Sequence, residues 1–136
     1  MNDLQRATFT LHRYFIWANR MRTHFDELLA ARGARIAVDD VEIFLYMSYW
    51  YAALYVVIEG WRELRLKDEV IDHLLESANV DLLRRYRHGV FHFQREYYDE
   101  RFLQFIREGQ ETVPWVRELN QVFGRYFLEW IDAVGE

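Results

Sequence analysis

Apolar residues recur every three or four positions along almost the whole of this chain, and only one proline, Pro114, and six glycines punctuate them. That period is the turn of an α-helix; a half-buried strand would alternate every second residue. A first helix is expected from about Leu4 to Ala31, where Leu4, Leu11, Ala18 and Phe25 repeat every seven, with Phe15, Met21 and Leu28 on the same face. Gly33 ends it, and Asp39 and Asp40 are expected to cap a second helix running to about Leu66. From Ile43 to Ile58 that second helix is apolar almost all round, which marks it as the centre of the domain. Its second half turns amphipathic, and Glu59, Arg62, Glu63 and Arg65 are laid out for exposed pairing along the helix.

Asp68 should cap a short helix ending near Glu76, before a break at Ser77-Ala78-Asn79. Another helix starts near Val80, Gln94 to Asp99 reads as a kink or loop, and Arg101 to Arg107 as helix up to Gly109. The last begins at Thr112 or Val113 with Pro114 in its first turn, and presents Val116, Leu119, Phe123, Phe127, Trp130 and Val134 as one face. The expectation is an all-α, up-and-down bundle of five or six helices, forming a single domain over residues 1–136.

Composition narrows the function classes. Zero cysteines exclude disulfide scaffolds and thiolate metal sites and fit a reducing cytoplasm. Met1 to Arg6 leads into a charged amphipathic segment, so no secretory leader is expected. The run Ile43–Ile58 falls short of the roughly 20 residues of a membrane span, so no membrane partner is expected. A net charge of −5 argues against a protein that coats nucleic acid. Arginine abundance decides nothing by itself, although Arg6, Arg13 and Arg20 form a stripe on the first helix, read as a solvated face.

One stretch reverses that acidity. Leu82 to Arg95 holds Arg84, Arg85, Arg87, Arg95, His88 and His92 and no carboxylate, which suits an anionic ligand such as phosphate. Arginine binds phosphate through a planar fork of donors, and histidine is the side chain whose ordinary pKa suits proton transfer near neutrality. On a regular helix Leu83, Tyr86, Val90 and Phe93 share the core stripe, and His88 and His92 point away from it. Arg87 and His92 would diverge by about 140°, unless the backbone deviates at Gly89 or a second subunit completes the site. Arg85 is a rival, because it lies closer to the line of His88 and His92.

The run Arg87-His88-Gly89-Val90-Phe91-His92 resembles the signature of the HEPN superfamily, an arginine followed after four to six residues by histidine, with a polar residue after the arginine. The resemblance implies an all-α bundle, often a homodimer, acting on RNA without a metal or other cofactor. Arg87 would stabilise the charged phosphate and His92 would handle the proton of the 2′-hydroxyl; apart from the resemblance, the basic segment offers His88 as a further catalytic candidate and Arg84, Arg85 and Arg95 as candidates for holding substrate. Cleavage would leave a 2′,3′-cyclic phosphate and a 5′-hydroxyl. Some toxins of this type carry a tyrosine two residues after the histidine, modified by a partner antitoxin protein; Gln94 stands there in this chain. Other HEPN domains are silent binding modules.

Two alternatives stand beside that reading. His88, His92 and Glu96 have the four-residue spacing of a helical metal site, with His12 or His24 as a further ligand, although Arg87 and Arg95 would repel a cation. A purely structural or partner-binding bundle would leave Arg87 and His92 unconnected. The aromatics Tyr46, Tyr49, Trp50, Tyr51, Tyr55, Tyr97 and Tyr98 suit either a core or a base-stacking surface, and helical spacing favours the core.

Overall fold

The structure of the chain, a computed structural model, describes residues 1–33 and 40–135. Among them every regular element is a helix: α1 (Asp3–Arg32), α2 (Val41–Glu63), α3 (Glu69–Leu74), α4 (Asn79–Phe91), α5 (Glu100–Glu108) and α6 (Thr112–Val134). The all-α bundle expected from the spacing is therefore what the chain forms.

Local chemistry sets the boundaries. Asn2 accepts from the Gln5 backbone N–H at 2.8 Å while the Gln5 side chain accepts from the Asn2 N–H at 2.9 Å, so two amides that the first turn leaves without helical partners are satisfied. Asp40 caps α2 through the Ile43 N–H at 3.0 Å and also holds Arg32 of α1 at 2.6 Å; Asp39, the other expected cap, lies outside the described residues. Asp68 caps α3 and Asp99 caps α5.

α2 is the central helix. Trp50, Tyr51, Leu54, Val57, Ile58 and Trp61 are all buried, covered by α1, α4 and α6. Phe25 of α1 meets Trp50, and Phe123 and Tyr126 of α6 set their rings edge-on to Trp61. Two indoles double as links, Trp61 donating to Asp72 at 3.0 Å and Trp115 donating to the Leu74 carbonyl at 3.0 Å, so short α3 is tied down. α2 is long and apolar enough to cross a membrane, but 44% of its most apolar window is buried inside the bundle, and α1, α4 and α6 pack against it. It is a core helix.

Two expectations about faces need correction. Leu4 sits on the predicted core face of α1 yet is half exposed at the helix tip, beyond the reach of its neighbours. The charges of late α2 do not pair along their own helix: Glu59 reaches across to Arg87 of α4, and Arg62 donates to the Leu75 carbonyl.

Candidate functional site

α4 carries the basic segment. Leu83 and Tyr86 fix its inner face, with the Tyr86 ring set against Tyr51, Phe102 and Phe105 and its hydroxyl 2.6 Å from that of Ser48. Gly89 lies at the crossing of α4 and α5. A Cβ there would stand 3.1 Å from the Phe102 ring and 3.3 Å from the Arg101 Cβ, so the missing side chain lets α5 approach. The helix runs unbroken through Gly89 and stops at Phe91, where His92 turns extended. Of the two ways in which Arg87 and His92 could converge, a deviation of the backbone at Gly89 does not occur; the glycine serves a close contact instead. Because the helical period lapses after Phe91, Phe93 is 92% exposed and does not join the core stripe of Leu83, Tyr86 and half-buried Val90.

His88 and His92 are both exposed and stack on one another, ring centroids 4.4 Å apart and planes inclined by 25°. The His92 N–H donates to the His88 carbonyl at 3.1 Å, which holds the second ring over the first even though its own backbone has left the helix. Loss of hydration, then the nearby His92, Arg101 and Arg87, lower the pKa of His88, and Asp99 opposes them. His88 therefore stays neutral to lower pH than an ordinary imidazole.

The arginines divide. Arg87 is half-buried and turned toward α2: its guanidinium lies 5.0 Å over the Tyr55 ring and its Nη1 is 3.4 Å from Glu59. Its Nε is buried with no hydrogen-bond partner among the described residues. Arg84 pairs with Asp81 at 3.5 Å, while Arg85 and Arg95 are exposed and make no ion pair among the described residues. The structure thus brings His88 and His92 together, and it places Arg87 at the flank, held by a carboxylate.

Arg101 is the residue that spacing did not reveal. It lies seven residues beyond Gln94, whose amide oxygen accepts from it at 3.1 Å, and it clasps its own helix cap Asp99 at 3.3 Å. Its field depresses His88 more than that of Arg87 does. The available signals were the Asp99 cap, which starts a helix with Arg101 in its first turn, and Gly89 as a contact point. Neither reveals which helix docks there. Tyr55 and Glu59 were equally hidden, because their partner lies on another element.

Exposed aromatic rings occur on α2, at the end of α4 and in the segment after it. Tyr49 stacks on Phe91 with centroids 5.9 Å apart, Tyr97 packs edge-on against Tyr98, and these four rings, with Phe93, are exposed. The hollows between α1 and α6 and beside Trp115 include neither His88 nor His92. For a metal, the helical ligand run fails because α4 ends before Glu96. No group of three histidine, aspartate or glutamate side chains among the described residues is placed to hold one. Comparison with family models, with curated proteins and with solved structures finds no match to this chain.

Proposed function

We propose that this chain is a HEPN-like, metal-independent endoribonuclease that acts as a homodimer in the cytoplasm. The observation that carries the reading is the stacked, exposed His88–His92 pair at the end of α4, a helix that also presents Arg85, exposed and without an ion pair among the described residues. One ring of such a pair accepts the 2′-hydroxyl proton, the freed oxygen attacks the adjacent phosphorus, and the 5′-oxygen leaves with a proton from an imidazolium. The products are a 2′,3′-cyclic phosphate and a 5′-hydroxyl end. Charge gathering on the phosphorane requires a fixed cation. Arg87 fills that role once a phosphate displaces Glu59, and Arg101 lies on the same side as His88. The bases stack on Tyr97, Tyr98 and Phe93. An open surface acquires walls when a second copy docks on it, and that second copy supplies the complementary acid or base.

A binding module without cleavage is the second reading, favoured by the engagement of Arg87 with Glu59 and Tyr55. One experiment separates the two. Incubated with RNA in chelator, the pure protein is expected to yield fragments ending in cyclic phosphate. His92→Ala is expected to abolish them without loss of fold, because the side chain contributes nothing to the core. RNA bound but never cut would establish the second reading. Cleavage that stops in chelator and returns with a divalent ion would overturn both.

A further inference from the structure

A second site lies between α1 and α6, sharing no residue with the histidine pair. It is a groove of about 410 Å³, within the usual range for small-molecule pockets. One end is apolar, floored by the rings of Phe15 and Phe127. Gly124 keeps this floor open: a Cβ on it would sit 3.4 Å from the Phe15 ring, and any longer side chain would extend into the space. His12 borders this end, its ring 5.5 Å from that of Phe127, and burial lowers its pKa, so near neutrality it presents an uncharged imidazole.

The other end is polar and anchored to the core. Buried Asn120 accepts from Trp50 Nε1 at 3.0 Å and donates to Asn19 Oδ1 at 3.0 Å; Asn19 Oδ1 also accepts from Arg22 Nε at 2.9 Å. Arg22 and Arg117 then converge on one carboxylate, Asp26, each at 2.7 Å. Every acceptor in this network is taken, whereas the second Nη of Arg22, the Nε of Arg117 and the amide nitrogen of Asn19 have no acceptor among the described residues. Two guanidiniums share one carboxylate, which leaves one positive charge uncompensated. Both guanidinium side chains are about a third exposed. The network therefore ends in donors on the lining of the groove that are accessible to a ligand or to water.

We infer that the α1–α6 groove binds a small amphipathic monoanion, a carboxylate on a flat apolar body, with the carboxylate on Arg22 and Arg117 and the body over Phe15, Phe127 and Gly124. The single surplus charge matches a carboxylate in preference to a doubly charged phosphate. The apolar end requires a body that inorganic anions lack.

The test is titration of the full chain with 2-naphthoate by calorimetry, with 2-naphthol and inorganic phosphate as comparison probes. Naphthoate is expected to bind at one site, and both comparison probes at least tenfold more weakly. Asn19→Asp keeps the oxygen that accepts from Arg22 and Asn120 but cancels the surplus charge, so it should fold normally and weaken naphthoate at least tenfold. Gly124→Leu, which leaves the polar end intact, should weaken both aromatic probes by a similar factor; circular dichroism confirms the fold of each variant. Failure of naphthoate to bind, equal binding of naphthol, tighter binding of phosphate, or undiminished binding by folded Asn19→Asp would each overturn the inference.

Discussion

Arg87 sits between two fates. Its pairing with Glu59 is half-exposed, and pairs of that kind are worth only about 0.2–1 kcal/mol. Against that small gain stands its buried Nε without an acceptor, a condition that typically costs about 1–3 kcal/mol. The resting position is therefore weakly held, and a phosphate offering two acceptors competes well for the guanidinium. Glu59→Gln removes the competing charge while keeping the shape. On the proposed function it should raise RNA affinity, by up to about fivefold, the equivalent of about 1 kcal/mol. Fluorescence anisotropy with a labelled RNA measures it. Unchanged or weaker binding by Glu59→Gln would mean that Arg87 is a strut between α4 and α2 and not a phosphate ligand.

Between elements, the contact that shapes the site is that of α5 on α4. Gly89 admits the Phe102 ring and the Arg101 stem, and so puts Arg101 in range of His88. Gly89→Val places branched carbons where Phe102 lies, and overpacking of this kind costs about 1–3 kcal/mol. The variant should show a lower urea midpoint together with faster amide exchange in α5 than in α2; equal exchange in both helices would show that α5 does not depend on this crossing. The same crossing explains what was legible in the chain. Helix faces, caps and the central place of α2 follow from spacing and from residues such as Asp40, Asp68 and Gly33, whose effects are local. The paired histidines are local too, four residues apart and next to each other in space. Arg101, Glu59 and Tyr55 act across elements, and periodicity along one helix is silent about which neighbour docks where. Phe93 departs from the expected core stripe for a related reason: His92 leaves the helix, and no glycine or proline marks that end.

At the scale of the whole molecule, acid should act in two stages. Burial depresses the pKa of His12, and loss of hydration with its charged neighbours depresses that of His88. The unfolded chain thus takes up these protons first. The stability tied to them is complete above 6.5 and is lost as pH falls through the lowered folded values. Asp26 and Asp68 behave in the complementary way: although burial alone would raise them, hydrogen bonds from Arg117 to the first, and from the Ile71 backbone and Arg125 to the second, hold both below 3.8. Their contribution is present above that value and disappears as pH falls through the depressed ones. Urea midpoints measured from pH 8 to pH 3 should decline gently below 6.5 and more steeply below 4; a midpoint that rises between pH 7 and pH 5 would contradict the first stage.

Association of the whole chain tests whether the histidine surface is complete in one copy. Two copies at −5 each repel, so any dimer must gain its free energy from apolar contact. Exposed apolar side chains occur on α1, at Phe9, Ile16 and Trp17, and on and after the end of α4, at Phe91, Phe93, Tyr97 and Tyr98, with Tyr49 stacked on Phe91. The second surface carries the stacked His88 and His92, whereas the first adjoins the lone imidazole of His12, whose ring lies 6.2 Å from that of Phe9. On the proposed function the second surface is the interface, and sedimentation should find a dimer at micromolar concentration. Phe93→Asp places a desolvated carboxylate in that interface and should yield a folded monomer that has lost RNA cleavage, while Phe9→Asp should leave both the dimer and the cleavage intact. Phe93 contributes nothing to the core, being 92% exposed, so a monomer from this variant reports on association and not on folding. If Phe93→Asp stays dimeric while Phe9→Asp dissociates, the copies meet through α1, the two histidine pairs do not face each other, and the composite site is wrong.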